Sequence, residues 1–509
     1  MSWRSSGYKS CSATTKVPEP EDESSTHALL FYDGRVVQLV GFTGEHDPYL
    51  LRHAGYGDDS LFTCANLTYR RVITQQPFPL LFMISRNCTE AEETRRMGHA
   101  LDTVESIIKP YGSNLLKLYW RYVNPCYPII YQRRYIIRHL MREEKIDPAL
   151  MAAMYLSALQ WWDFDPSLSA KPRPDEQALR HFLDTTLAHD FKGPKLVTVQ
   201  ALLLYSQAPV TNPKTETQIV AVAQQLGLHL DSSTWSIPPW ERKVRKIVWW
   251  AVYIQEKWQV SPSPRPSHIP SSGWNVPLPN DLDFIEEGKT LEDFPIRNFV
   301  TGARMFQAMA TMTVILAEIL DTFFSLPRVL DVDYSLDEAL QLANPLRTKL
   351  YDWRMSLLPC LEMDAHAVRE LNICGSWFRS LHLCYHACQM AISRALTRTK
   401  ANDIETAAAC WRDAQASANN VVDFVQSLTP EHLQSFWYSF CQANLAMAST
   451  FLVSVLLTSG SDEQFQEMQQ SIEQFRWILT IQARHTELMG HALARLDSLL
   501  ASQEAAEFL

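Results

Sequence analysis

The sequence predicts an all-α protein, and three observations support that fold class. Apolar residues recur at steps of three and four along most of the chain, the spacing that places side chains on one face of an α-helix. Glycine is scarce, with 16 residues in a chain of 509, and the dipeptides that close tight hairpins are few. A chain of this length, rich in aliphatic and aromatic stretches, can also bury a large core.

Three regions follow one another along the chain. Residues 1–26 are polar and acidic and are predicted to be disordered. Residues 27–96 are predicted to form a small N-terminal extension of loops and short segments. Within this extension, Asp33-Gly34 lies between two apolar arms and predicts a short β-hairpin. Residues 97–509 are predicted to form one large multi-helix domain.

Helical spacing dominates residues 97–160 and 173–260, and it resumes near 295 after a proline-rich gap. Two apolar stripes in the C-terminal part predict buried helix faces. The stripes are Trp411, Ala414, Ala418, Val421 and Val425 in one helix, and Cys374, Phe378, Leu381, Tyr385, Cys388 and Ile392 in another. The chain contains no visible repeat of fixed period, so a solenoid of identical units is not expected.

Residues 244–279 carry the most informative pattern in the chain. An apolar stripe at helical spacing is formed by Val244, Ile247, Val248, Ala251, Ile254 and Trp258. Trp249, Trp250 and Tyr253 extend this stripe around the cylinder, so we expect the helix to be enclosed by other helices. Six prolines from Pro262 to Pro279 exclude helix and central strand, and they predict a long, ordered, extended loop.

This segment resembles the signature of the middle regulatory domain of fungal binuclear zinc-cluster transcription factors. That signature places basic residues before a Trp-Trp pair, then a Tyr, an acid–base pair and a Gly-Arg-Pro. The matching residues here are Trp249, Trp250, Tyr253, Glu256, Lys257, Arg265 and Pro266. Pro264 replaces the family's Gly, and Asn275 replaces an acid further on. Four other blocks resemble family helices in the expected order, at 115–136, 197–207, 223–231 and 381–396.

The resemblance implies a regulator of fungal metabolic or secondary-metabolite genes that works in the nucleus, with the cytoplasm as the alternative. It implies that the helical domain restrains or licenses activation and responds to a small-molecule effector. It also implies that co-regulator proteins or a second copy of the chain serve as partners. The seven matching residues are expected to be structural, and no catalytic, cofactor-binding or metal-binding residue is predicted.

The family's DNA-binding motif is missing from these 509 residues. Family members hold two zinc ions with six cysteines that include two Cys-x-x-Cys pairs. This chain has no Cys-x-x-Cys, and Cys11, Cys64, Cys88 and Cys126 are too widely spaced to replace it. We therefore expect no cofactor in this chain and no specific DNA contact by it alone. Either the gene model lacks the DNA-binding exon, or the protein regulates without its own DNA reader.

Charge and composition predict which surroundings the protein occupies and which partners it lacks. The net charge of −10 argues against a surface devoted to phosphate backbones. No secretory signal opens the sequence, so its ten cysteines are expected to be reduced thiols inside the cell. Residues 433–461 carry no charge and are long enough to span a bilayer. Because Asn444 and Ser449 would need partners within lipid, we predict a buried core helix and no membrane contact.

One cluster of residues suggests a metal site. His382 and His386 share a helix face, but Cys384 and Cys388 lie about 200° away on the same helix. Four ligands so arranged cannot converge on one ion, because a zinc site needs a tetrahedral set. We therefore predict ordinary packed side chains at these positions.

An all-helical terpene cyclase is the strongest enzyme alternative. Such enzymes hold magnesium through an Asn-Asp motif followed by Ser and Glu at set spacings. Asn280-Asp281 begins this motif, but the next two positions are Phe284 and Gly288. Catalysis is therefore not expected, although an uncharacterised helical enzyme stays a distant alternative. A helical co-regulator or scaffold that acts only through protein contacts is the closer one.

Charged residues flank the aromatic helix on both sides. Arg242, Lys243, Arg245 and Lys246 suggest a nuclear import signal or a nucleic-acid contact, but a solvated helix face is the simpler interpretation. Arg265 in the proline loop is predicted to pair with Glu256, because an Arg–carboxylate pair would fasten the loop to the helix.

Overall fold

The architecture is described from a computed structural model of the chain. The described residues are 28–29, 35–73, 79–86, 89–132, 135, 147–208, 213–263, 265–285, 296–331, 334–357, 378–400, 403–484 and 486–507. Helices account for 66% of the structure, and a small antiparallel sheet lies near the N-terminus. The predicted all-α class with a small N-terminal extension is therefore confirmed.

The helices follow one another with mostly short connections. They are α1 (Pro48–Leu51), α2 (Glu90–Ile108), α3 (Gly112–Leu118), α4 (Pro148–Ala158), α5 (Glu176–Asp190), α6 (Leu196–Tyr205), α7 (Pro213–Gln225), α8 (Pro239–Val260), α9 (Asp281–Phe284), α10 (Ile296–Phe323), α11 (Leu326–Val329), α12 (Leu336–Ser356), α13 (Arg379–Arg398), α14 (Ile404–Gln426), α15 (Pro430–Leu433), α16 (Phe440–Leu457), α17 (Asp462–Gln482) and α18 (Glu487–Glu507). A π-helical turn at Tyr119–Val123 and a 3₁₀ turn at Leu159–Phe164 extend α3 and α4.

Local capping explains where several helices begin. Thr89 accepts a hydrogen bond from the backbone of Glu92, whose side chain accepts from the backbone of Thr89, so α2 begins with a capping box. Ser335 and Glu338 form the same reciprocal pair at the start of α12. These pairs satisfy backbone N–H groups that have no partner inside the helix.

The N-terminal sheet consists of four antiparallel strands in the order β1-β4-β3-β2. The strands are β1 (Arg35–Leu39), β2 (Leu61–Cys64), β3 (Leu67–Arg71) and β4 (Leu81–Arg86). The hairpin predicted for 27–42 depends on residues 30–34, which lie outside the described residues; in the described part, β1 pairs with β4, with Val37 opposite Ile84. Leu29 of the supposed first arm lies in a 3₁₀ turn, and Asp33-Gly34 lies outside the described residues.

The hairpin that does form joins β2 to β3 through a two-residue turn. Cys64 lies opposite Leu67, which leaves Ala65 and Asn66 as the turn. Ala65 has a φ of 53°, a left-handed conformation that glycine or asparagine usually supplies in such turns. Because alanine is a poor residue for this position, the turn carried no recognisable sequence signal.

The sheet is fastened to the helical body by aromatic packing and backbone bonds. Phe82 of β4 packs edge-on against Trp235, with ring centroids 5.4 Å apart. The backbone N–H of Ser236 donates to the carbonyl of Val72 over 2.9 Å. Arg70 reaches back to the carbonyl of Ser236 over 3.2 Å. The segment just before α8 therefore acts as the attachment point of the sheet.

One continuous hydrophobic cluster fills the helical body and includes residues from Ala28 to Leu496. The predicted stripe from Trp411 to Val425 is buried along its whole length, as are Phe378 to Ile392 of the second stripe. Cys374, its first member, lies outside the described residues. The backbone of α10 lies so close to Pro125 that only glycine fits at position 302. A Cβ on Gly302 would lie 1.9 Å from the carbonyl oxygen of Pro125.

Two described helices are long and apolar enough to cross a bilayer by length and composition, Gly302–Phe323 and Phe440–Leu457. In each of them 61% of the apolar window is buried inside the protein. Polar groups on Phe440–Leu457 are engaged internally: Ser449 Oγ donates to the carbonyl of Ala492 over 2.9 Å, and Asn444 contacts Cys384. This is the behaviour of a core helix within a helical protein.

The strained turn yields a test of the sheet. Ala65→Gly is expected to stabilise the β2–β3 hairpin by up to about 1 kcal/mol, because glycine adopts positive φ without a steric penalty. Amide hydrogen exchange of residues 67–71 should slow accordingly. The same substitution at Ala409, exposed within α14, should instead lower stability by about 1 kcal/mol. Faster exchange in the Ala65→Gly hairpin would contradict the turn assignment.

Candidate functional site at the central helix and its proline loop

The central helix α8 is enclosed on nearly every side. Pro239 occupies its first turn, where a missing N–H costs nothing, and the helix then runs for 22 residues. It packs against α6, α7, α9, α10 and α16. Trp249, Trp250 and Tyr253 are all buried, as their position around the helix predicted. The signature side chains on α8 thus form part of the core.

Trp274 of the proline loop completes the aromatic cluster. Its ring centroid lies 4.9 Å from that of Tyr253, 5.4 Å from Trp250 and 6.1 Å from Trp249. Trp250 also donates its indole N–H to the carbonyl of Pro277 over 2.8 Å. Aromatic contacts at these distances add to the area that the rings bury. The loop is therefore held along the helix by one of its own indoles.

The buried acid–base pair Glu256-Lys257 fastens the first half of the loop. The backbone N–H of His268 donates to Glu256 over 2.7 Å, and Ser267 Oγ donates to the other carboxylate oxygen over 3.0 Å. Lys257 donates to the carbonyl of Ile269 over 2.8 Å. Burial lowers the pKa of Lys257, while Glu256 acts to raise it. Glu256 and Lys257 therefore bond to N–H and C=O groups of the loop that have no partner within the extended loop itself.

Arg265 pairs with a different helix from the one expected. It contacts the carboxylate of Glu216 in α7 and donates to Thr217 Oγ1 over 2.8 Å. The predicted pair with Glu256 is wrong, because both oxygens of Glu256 already accept from the loop. Burial raises the pKa of Glu216, and Arg265 opposes that rise. Pro266 beside it is exposed.

The basic residues at the start of α8 are engaged within the protein. Arg245 is buried, donates twice to the carbonyl of Leu226 over 3.1 Å, and lies 3.4 Å from Glu241. Lys246 pairs with Asp283 over 3.0 Å, and Lys243 and Arg242 donate to backbone carbonyls. The solvated face predicted for these cations is therefore wrong for Arg245, which is buried, whereas the other three are half-buried.

Arg245 and Glu241 also connect α8 to the N-terminal extension. The guanidinium carbon of Arg245 lies 5.2 Å from the ring centroid of Trp235 and 5.6 Å from that of Phe82. Glu241 accepts from the backbone N–H of Leu29 over 2.9 Å. A cation over aromatic faces gains electrostatic stabilisation, most of all where water is excluded. The helix is thus linked to both the sheet and the chain that precedes it.

A network of amides at the C-terminal half of α8 was missed from the sequence. Gln207 donates to Gln255 over 2.8 Å and accepts from the backbone N–H of Ser439 over 3.1 Å. These residues come from three distant segments, so no local pattern could indicate that they meet. The network joins α8 to the start of α16.

The His382–Cys388 cluster does not form a metal site. Cys384 and Cys388 are buried, and Cys388 contacts Met312 over 3.7 Å. Burial lowers the pKa of His386 to about 4, so its imidazole stays neutral. Across the described part of the chain, no group of three His, Cys, Asp or Glu side chains could hold a metal ion.

A polar cluster lies where α2, α4 and α5 meet. Arg96 contacts Glu93 over 2.9 Å and Asp190 over 3.2 Å, and Lys195 lies 3.6 Å from Glu93. Burial and the nearby Asp147 raise the pKa of Asp190 to about 7, although Arg96 opposes the rise. The cavity beside them measures about 60 Å³, room for little more than water. An Asp at the C-terminal end of α5, where negative charge is unfavourable, was the signal that could have found this cluster.

A larger cleft of about 320 Å³ lies between α12, α13 and α14. Its lining mixes aromatic and polar groups, among them Tyr351, Tyr385, Gln389 and Ser417. The side-chain N–H of Gln389 donates to the hydroxyl of Tyr385 over 3.1 Å. The side-chain carbonyl oxygen of Gln389 is buried and has no hydrogen bond among the described residues. The lining also includes the ion pair of Arg347 and Asp413, 3.2 Å apart, and such a mixture of aromatic and polar groups suits a small organic molecule.

Comparison with known proteins identifies related regulators. Residues 116–355 match the fungal specific transcription factor domain, which takes in α8 and the proline loop. The transcriptional activator protein DAL81 of Saccharomyces cerevisiae is 28% identical over 80% of this chain and 46% of its own length. A transcriptional regulatory protein of Schizosaccharomyces pombe is 28% identical over 43% of this chain and 35% of its own.

A third relative, the fusaridione A cluster transcription factor of Fusarium heterosporum, is 26% identical over 40% of this chain and 37% of its own length. The chain therefore spans less than half the length of each of these relatives. No solved structure matches it.

Removal of Arg265 tests the attachment of the loop. Arg265→Ala is expected to lower the free energy of unfolding by about 1–3 kcal/mol, because it leaves the buried Glu216 without its charge partner. Helix content by circular dichroism should not change. Arg173→Ala is the matched control, since its pair with Asp163 is exposed and should contribute at most about 0.5 kcal/mol. Equal melting temperatures for both variants would show that the pair does not fasten the loop.

The raised pKa of Asp190 predicts a pH dependence of stability. A carboxyl whose pKa is higher in the folded chain stabilises the fold fully below its unfolded value of 3.8 and loses that contribution as pH rises through about 7. Asp190→Asn should therefore gain stability relative to wild type between about pH 5 and about pH 8, on the order of 2 kcal/mol.

Thermal unfolding across this pH range provides the measurement. Asp352→Asn, an exposed position on α12, is the control and should keep the wild-type profile. A difference between Asp190→Asn and wild type that stays constant with pH would rule out ionisation of Asp190 as its cause.

Proposed function

We propose that this protein, which belongs to the fungal transcriptional regulators that carry the fungal specific transcription factor domain, controls metabolic or secondary-metabolite genes. The family consists of transcription factors, not enzymes, and its members act in the nucleus. In this proposal the helical body responds to an effector and sets the activity of a complex bound at the target genes.

The family match over 116–355 is the observation that carries the proposal. It begins in α3, runs through α8 and the proline loop, and ends in α12, so it takes in the central helix and the loop attached to it. One relative is named for the fusaridione A cluster, a set of genes for one metabolite. That name supports a metabolic target for this chain as well.

We propose that DNA is read by a partner or by a segment outside these 509 residues. No Cys-x-x-Cys occurs in the sequence, and the net charge is −10. The four cations at the start of α8 are held by carbonyls and carboxylates of the same chain. Binding to a DNA backbone requires Lys and Arg side chains that can approach phosphates, and Arg245 is buried while the other three already have partners within the chain.

The cleft between α12, α13 and α14 supports an effector response. Its volume of about 320 Å³ lies within the range of pockets that bind small organic ligands. It lies between α13 and α14, whose inward faces belong to the central core. A ligand there could alter how these helices pack. The alternative function, a co-regulator that acts only through protein contacts, needs no such ligand.

A tethering experiment tests the regulatory role. The chain fused to an unrelated DNA-binding module should change reporter output in a fungal nucleus relative to the module alone. Arg265→Ala, which removes the contact between the proline loop and Glu216, should reduce that effect, whereas the Arg173→Ala control should not. Reporter output equal to that of the module alone, with the fusion expressed and folded, would contradict the proposal.

The means of DNA recognition is tested separately. The purified 509-residue chain should not shift labelled duplex DNA even at low salt, where non-specific binding is strongest. Genomic sequence upstream of Met1 should then be translated. Two Cys-x-x-Cys pairs in frame would identify a DNA reader within the same gene, and their absence would favour the co-regulator.

A further inference from the structure

The outer face of α17 carries two large apolar side chains that the protein leaves in solvent. Trp477 is 67% exposed and Ile481, one turn further on, is 48% exposed. The inner face of the same helix is fully packed by Met468, Ile472, Phe475 and Leu479. Exposed tryptophan next to exposed isoleucine is uncommon on a monomeric surface and marks contact sites when rimmed by polar groups.

Charged residues bracket this apolar pair in a definite order. Glu473 lies one turn before Trp477, and Arg484 lies just beyond Ile481. Steps of four place Glu473, Trp477 and Ile481 in one row along the outer face of α17, and Arg484 follows in the turn just past the end of the helix at Gln482, about 16 Å from Glu473 along the axis. All four are exposed. The row therefore reads acid, aromatic, aliphatic, base from the N-terminal to the C-terminal end.

Both charges are available for contact with another molecule. Among the ion pairs of the described residues, none involves Arg484, whereas the nearby Arg476 is held by Asp497 over 2.7 Å. Glu473 has only a 3.5 Å contact from Gln469, its neighbour one turn earlier on α17. An outward row with an unpaired base at one end and an unpaired acid at the other has complementary ends.

We propose that this row binds the same row of a second copy of the chain, with the two α17 helices antiparallel. A two-fold axis near Leu479 sets Trp477 of each copy against Ile481 of the other. The same operation sets Glu473 of each copy against Arg484 of the other. A two-fold interface uses one patch on both partners and so requires such self-complementarity.

The order of charges selects this orientation. A parallel pair would set Glu473 against Glu473 and Arg484 against Arg484, and like charges in contact are unfavourable. Shifting the antiparallel pair by one turn would separate Trp477 of each copy from Ile481 of the other, and Glu473 of each copy from Arg484 of the other. The inference does not depend on the proposed function, because it concerns the surface of α17 alone.

The contact should be weak. A single helix pair about 30 Å long buries less area than a standard stable interface, so the dimer is expected to dissociate in the micromolar range or above. Sedimentation equilibrium of the whole chain over a wide concentration series should show a reversible monomer–dimer equilibrium. A strict monomer at the highest concentration reached would overturn the proposal.

Charge reversal tests the orientation. Glu473→Arg and Arg484→Glu should each weaken the dimer by about tenfold, because each creates two like-charge contacts. The double variant exchanges the two charges and should restore the wild-type dissociation constant. Failure of the double variant to recover would overturn the antiparallel register even if a dimer exists.

The apolar centre is tested by Trp477→Ala, which should weaken the dimer by at least about tenfold. Ile404→Ala is the matched control, because Ile404 is 89% exposed at the start of α14 and lies outside the row. It should leave the dissociation constant unchanged. Circular dichroism should show the same helix content in all variants. Equal dimerisation of Trp477→Ala and wild type would place the interface elsewhere.

Discussion

The burial of α8 on nearly every side is the constraint on which the rest of the structure depends. This helix carries Glu241, Arg245, Glu256 and Lys257, and all four are buried. A charge taken out of water is costly unless other groups replace the hydrogen bonds it loses. The backbone of α8 cannot supply those groups, because its N–H and C=O groups are used within the helix, and the ion pair of Glu241 and Arg245 leaves their other polar atoms to be satisfied. They must be delivered by other segments of the chain, each at a fixed place along the helix.

The segments that meet this demand account for most of the architecture. In the first half of the helix, the backbone N–H of Leu29 donates to Glu241, and the carbonyl of Leu226 accepts from Arg245. Phe82 and Trp235 also pack against Arg245. The proline loop serves Glu256 and Lys257 in the second half. Prolines suit this loop because they keep it extended, so its remaining N–H and C=O groups face the helix. A substitution that frees one of these charges would therefore disturb several elements together.

Sequence reasoning succeeded where the cause was local and failed where it was not. The buried stripes of α13 and α14 and the enclosure of α8 follow from helical periodicity, which depends on neighbours within a few residues. The partner of β1, the partner of Arg265 and the amides around Gln207 each depend on segments far away in the chain. The burial of Arg245, in the basic run before Trp249, could not be predicted for the same reason. The composition of that run does not show that Arg245 donates to the carbonyl of Leu226.

Periodicity also does not determine which face of a helix packs against the core, and α17 is an example. Its sequence holds two apolar rows, one through Phe475 and one through Trp477, and only the first is covered by the protein. The inward row is longer and carries no charge, which is what a packed core requires. The outward row is short and ends in an acid and a base. Core burial cannot explain that second row, whereas contact with another surface can, since such contacts combine an apolar centre with a polar rim.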